Sequence, residues 1–162
     1  NDIRARIPQA VLRTQFIVGY PGETEQQFEE LLRFVEEMQF DRVGCFMYSQ
    51  EESTKAGSLP GQLDEKTKQR RHDTLMELQQ KISNHKQKQW IGRTIEVMVE
   101  GVSEETELLL VGRHSQQAPD IDGVTYINDG QANIGDLVQV QITDAMDYDL
   151  IGGIVPSSGS PS

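Results

Sequence analysis

Gly19-Tyr20-Pro21-Gly22-Glu23 is the segment best suited to hold a small molecule. It follows a largely apolar run, Val11 to Val18. A glycine turn at the carboxyl end of a buried strand lets loop backbone approach a ligand without side-chain hindrance. The chemistry on offer is a wall for a nucleotide-like cofactor. An ordinary strand-to-helix turn with a helix cap accounts for the same residues and is the commoner explanation. Cys45 offers a nucleophile or a ligand, but a lone cysteine in an apolar strand more often serves as a small core residue. His72, His85 and His114 have no partner at ligand spacing. One cysteine and three histidines cannot build an iron–sulfur cluster or a closed zinc site within the chain. Lys66, Lys68, Arg70 and Arg71 form a basic stretch that could touch a phosphate, although a solvated charged face is the usual meaning of such a run.

Charge divides the chain sharply. Residues 1–88 carry 13 Lys+Arg against 14 Asp+Glu, whereas residues 89–162 carry 2 bases, Arg93 and Arg113, against 12 acids. The second part has a net charge of −10 out of −11 for the whole. Such a field repels a phosphate backbone and attracts a basic protein. No apolar run reaches membrane-spanning length and no signal-peptide pattern is present, so a soluble, cytoplasmic protein is expected. A single cysteine excludes an internal disulfide. The chain opens at Asn1 inside an amphipathic element and reads as part of something longer.

The elements that must position these residues follow from periodicity. Residues 1–7 read as a helix tail stopped by Pro8. Val11 to Val18 reads as a parallel strand buried on both faces. Thr24 with Gln27 three residues on makes a capping box. Phe28, Leu31, Leu32, Val35 and Met38 then stripe one face of a helix, and Arg42 to Tyr48 makes the next strand. Residues 11–48 are therefore a βαβ unit of an α/β barrel or open sheet. After a loop, Asp64 caps a long polar helix with a narrow stripe of Leu75, Leu78 and Ile82. The polar stretch 84–89 reads as a linker. From Trp90 the period becomes two: Ile95, Val97 and Val99, then Leu108 to Val111, Val124 to Ile127, Val138 to Ile142, and Tyr148 to Val155. Five short antiparallel strands in about 70 residues suggest a small barrel. Residues 1–88 and 89–156 are the expected domains, and 157–162 a disordered tail by composition.

Leu12 through Thr24, Phe40 through Ser49 with Glu51 to Thr54, Leu75 through Ser83, and Gly92 through Ile154 resemble successive segments of the radical-SAM methylthiotransferases. Val111-Gly112-Arg113 through Ala118-Pro119-Asp120-Ile121-Asp122-Gly123 is similar to the branch that modifies an aspartate of small-subunit ribosomal protein twelve. The tRNA-modifying branch normally lacks that run. The resemblance implies an α/β plus β architecture: the last strands and helices of a partial radical-SAM barrel, then a five-stranded antiparallel, OB-like TRAM barrel. It implies two 4Fe–4S clusters and S-adenosylmethionine in the full-length enzyme. This chain ligates neither cluster, holds no catalytic residue, and is expected to be inactive alone. By position in the family, Arg13, Ile17, Gly19 and Val43 would meet the cofactor. The implied substrate is a basic ribosomal protein, with Glu104, Glu105, Glu107, Asp120 and Asp122 facing it, and neither nucleic acid nor membrane is an expected partner. A tRNA methylthiotransferase segment and a self-contained acidic binding module without an enzyme are the alternatives.

Overall fold

A computed structural model describes residues 2–104, 106, 108–119 and 121–156. The chain forms two compact units, residues 1–82 and 83–162. The expected tail, 157–162, lies outside the described residues.

The first unit begins with a short helix α1 (Asp2–Arg6), strand β1 (Arg13–Val18), helix α2 (Glu25–Met38) and strand β2 (Arg42–Met47). Thr24 caps α2 as its sequence requires: its side chain accepts the Gln27 N–H at 3.2 Å, and the Gln27 side chain accepts the Thr24 N–H at 2.9 Å. The helix ends where Gln39 turns left-handed at φ 48°. β1 and β2 pair in parallel, Arg13 opposite Arg42 through Val18 opposite Met47. One face of this two-stranded sheet packs on the helices. Val18, Val43 and Cys45 join Phe28, Val35, Phe40, Leu75 and Ile82 in a continuous core. β1 was expected to be buried on both faces and is not. With a single layer of helices against it, its burial alternates, and Ile17 stays 61% exposed opposite Phe46.

Helix α3 (Glu65–Lys88) starts at Asp64, whose carboxylate accepts the Thr67 N–H at 2.9 Å. It continues through residues 84–88, where polarity suggested a linker. The reason lies in three hydrogen bonds within the second unit. The Ser83 hydroxyl and the Gln87 amide each donate at 2.7 Å, to the carbonyls of Asp147 and Tyr148, and Asn84 donates to the Asp147 carboxylate at 2.7 Å. Polar side chains paired in this way are stable when buried.

The second unit is a closed barrel in the order β3-β4-β5-β7-β6, built from β3 (Thr94–Val102), β4 (Leu110–Arg113), β5 (Thr125–Asp129), β6 (Leu137–Ala145) and β7 (Leu150–Ile154). Val97, Val99, Ile127, Val140, Ile142 and Leu150 fill it. The alternation read from the sequence is the inside–outside alternation of these strands. The expectation of an all-antiparallel barrel is corrected, because β5 and β7 pair in parallel. Parity requires this. Five strands closed in a ring cannot all run opposite to both neighbours, so one pair must be parallel. It falls where the β6–β7 hairpin folds back beside β5.

Candidate functional site

The turn after β1 is fixed by side chains of α3. Gly19 has φ 76°, in the left-handed region, and a Cβ there would lie 2.5 Å from the Lys68 Cγ. The lysine stem fills the space a side chain would need, so the chain's own packing demands glycine. Lys68 is 4% exposed. Its ammonium donates to Glu65 Oε1 at 2.7 Å and lies 5.6 Å from the centre of the Tyr48 ring, which meets Tyr20 edge-on. Glu23 closes the turn from the other side. Its Oε2 accepts the Gly19 N–H at 3.1 Å, and its Oε1 accepts from Arg71 Nη1 at 2.5 Å. Arg71 also donates to the Glu23 carbonyl and to Glu25, each at 3.1 Å, and its guanidinium lies over Phe28. Hydrogen bonds from Arg70, then Arg71, hold the Glu25 carboxyl below its ordinary range. Any stability it contributes is therefore present at neutral pH and lost as pH falls through its lowered folded value. The basic stretch of α3 was expected to be a solvated face. Instead Lys68 and Arg71 are buried and paired, and with Glu23 they are the positioning residues that the sequence reading missed. The available signal was spacing: residues 68 and 71 share a helix face with Leu75.

Of the residues assigned to the cofactor, Arg13 and Ile17 share the sheet face turned away from the helices, beside Arg42 and Phe46. Val43 points to the opposite face and is packed into the core. Gly19 lies on the turn. Cys45 is also core, and burial first, then the charges of Glu23 and Asp73, push its thiol up to about 11. At pH 8 only about one thiol in a thousand would be ionised. A peptide map after iodoacetamide treatment should show Cys45 unmodified until denaturant is added. His72 sits beside Asp73 at 3.0 Å. His114 is buried against the Trp90 ring, and its Nδ1 accepts the Gln116 N–H at 3.3 Å. Among the described residues, no group of three or more His, Cys, Asp and Glu could hold a metal ion. No helix there is long and apolar enough to cross a membrane.

Both bases of the barrel are engaged. Arg113 pairs with Glu100, and Arg93 lies over Trp90 at 5.5 Å. Several acids also hold their own loops. Asp122 accepts the Ala118 N–H at 2.8 Å, Asp149 the Val124 N–H at 2.7 Å, and Asp136 the Asn133 N–H at 2.8 Å. Asp122, assigned above to the substrate, is thus a loop clamp. Glu105, Glu107 and Asp120 lie outside the described residues. Glu104 is exposed, and its side chain, like those of Glu96 and Asp129, makes no hydrogen bond or ion pair among the described residues.

Residues 91–155 match the TRAM domain family. Over 154 residues the chain is 65% identical to the ribosomal protein uS12 methylthiotransferase RimO of Bdellovibrio bacteriovorus, covering 95% of this chain and 34% of that protein. It is 55% identical over 153 residues to the protein of the same name from Anaeromyxobacter sp., covering 94% and 33%. With that of Syntrophotalea carbinolica it shares 56% over 158 residues, covering 98% and 35%. The chain spans about a third of the length of the curated relatives it matches.

Proposed function

We propose, for a chain that over 95% of its length is a segment of the RimO uS12 methylthiotransferase type and carries its TRAM domain, that it is the substrate-docking end of a cytoplasmic enzyme methylthiolating an aspartate of uS12. Residues 1–88 close the radical-SAM domain and residues 89–156 form the docking module. The observation that carries this reading is the barrel's charge. Twelve acids stand against two bases, and both bases are already occupied by Glu100 and Trp90. Such a surface selects a cationic polypeptide and opposes RNA phosphates.

Bound iron–sulfur clusters and S-adenosylmethionine would supply the radical chemistry that removal of an inert β-carbon hydrogen demands. Cys45, buried with a raised thiol pKa, does not fit a cluster ligand, so that chemistry belongs to the rest of the protein. Arg13 and Ile17, on the open face of the β1–β2 sheet, are the residues of this chain suited to orient and cover a cofactor. Gly19 and Val43 support that face from the turn and from behind. Glu104, with Glu105, Glu107, Asp120 and Asp122, supplies the field that draws the substrate in.

Individual exposed pairs contribute little, so the effect should appear in association rate and salt dependence. Binding of the whole protein to purified uS12 should weaken steadily between about 0.01 M and about 0.15 M salt, where the Debye length falls from about 30 to about 8 Å. Transfer RNA should bind much more weakly at every salt concentration. Equal or tighter binding of tRNA would refute this assignment and favour the tRNA-modifying branch.

A further inference from the structure

The wall of the barrel carries a groove that no interior role explains. The pairing of β3 with β4 slips between Val99 and Gly101, so Glu100 is an extra residue on β3. A bulge of this kind bends its strand and re-aims the side chains beside it. The result is a depression of about 400 Å³ with Val102, Val111, Val124 and Tyr126 in its lining and Glu100 and Glu104 at its margin. Gly101 leaves it open, since a Cβ there would meet nothing within 4 Å. Val102 is 53% exposed on a strand otherwise well patterned. Arg113 occupies Glu100, which leaves Glu104 as the acid with no hydrogen bond or ion pair among the described residues.

We propose that this β3–β4–β5 groove is the seat for a lysine or arginine side chain of the basic partner protein. The proposal rests on the docking reading above and gives it an address. A long cationic side chain suits both parts of the groove: its methylene stem lies on valine and tyrosine, and its charged head reaches Glu104. The tyrosine ring adds attraction for a cation over its face. Charge complementarity decides the occupant. An acidic peptide would bring further negative charge to a segment, residues 89–162, that already carries −10, and a neutral one would relieve none of it, whereas a basic one relieves it. Glu96 provides an internal comparison. Its side chain is equally unpaired among the described residues, and it lies on β3, the strand that leads to Glu104, but opposite Gln139 of β6 and outside the groove.

The test measures binding of purified uS12 by the whole protein carrying Val102→Lys, Glu104→Lys or Glu96→Lys. Both groove substitutions should weaken binding about tenfold or more, and Glu96→Lys by about threefold at most. All three positions are exposed, and circular dichroism verifies folding. As a milder pair, Glu104→Gln should weaken binding more than Glu96→Gln. If wild type binds with strong salt dependence but the groove and Glu96 variants weaken equally, the groove is not the seat and the docking reading stands. If wild type does not bind uS12 in a salt-dependent way, both fall.

Discussion

Arg71→Leu loosens the β1–α2–β2 region by about 3–5 kcal/mol, the usual cost of stripping one partner from a buried ion pair. Arg71 is 3% exposed, and it holds Glu23 through the side chain and the backbone. Glu23 in turn holds the Gly19 N–H. Without the guanidinium, the Glu23 carboxylate, 15% exposed, is left without its counter-charge beneath the turn. Hydrogen exchange in the whole protein reads this directly. Amides of β1 and β2 should exchange about 10²- to 4 × 10³-fold faster. Arg71→Lys should recover only part of the loss, because an ammonium cannot satisfy Glu23 and Glu25 at once. Adding Glu23→Gln to Arg71→Leu should restore some protection, since the unpaired charge is then gone. Unchanged exchange in Arg71→Leu would mean that the turn is held by the sheet alone.

Gly112→Ala should strongly destabilise the barrel. A Cβ at this position would meet the Val97 Cγ1 at 2.7 Å and press on the Met98 carbonyl. Backbone cannot step aside as a flexible side chain does, so about 3 kcal/mol is expected, the upper end for overpacking. For a module of this size that corresponds to a fall of about 10–20 °C in its melting temperature. Gly101→Ala is the matched control. It lies two residues from Met98's neighbour Val99 on the facing strand, with open space beyond its backbone, and should change stability by less than about 0.5 kcal/mol. Calorimetry of the whole protein separates the two. Equal melting of both variants would show that the β3–β4 contact relaxes freely.

Elements were legible where pattern and local chemistry agree. Thr24 and Gln27 announce the start of α2, and Val97, Val99, Val140 and Ile142 announce an inward face at period two. Two things were not legible, for physical reasons. Polarity does not distinguish solvated side chains from paired ones, so Lys68, Arg71, Ser83 and Gln87 read as surface while being buried. The partners of Arg71, Ser83 and Gln87, namely Glu23, Asp147 and Tyr148, lie 48 or more residues away in sequence. Burial of one strand face depends equally on what stacks against it, and an apolar β1 cannot report whether Ile17 is covered. The same holds for the candidate site. Charge asymmetry was visible at once, but the use of Asp122 as a loop clamp and the groove beside Glu104 appear only when β3, β4 and β5 are laid side by side.

The ring of five strands sets an order of events. Its seam joins Thr94 to Gln141, and the strand that bridges β5 to β6 is the last one made. Until Leu150 to Ile154 emerge, every shorter product keeps two raw strand edges, with hydrogen-bonding groups that seek other chains. A stop codon or frameshift before or within β7 should therefore yield aggregating protein rather than a weaker docking surface, and the codons of β7 are as critical to solubility as the core valines.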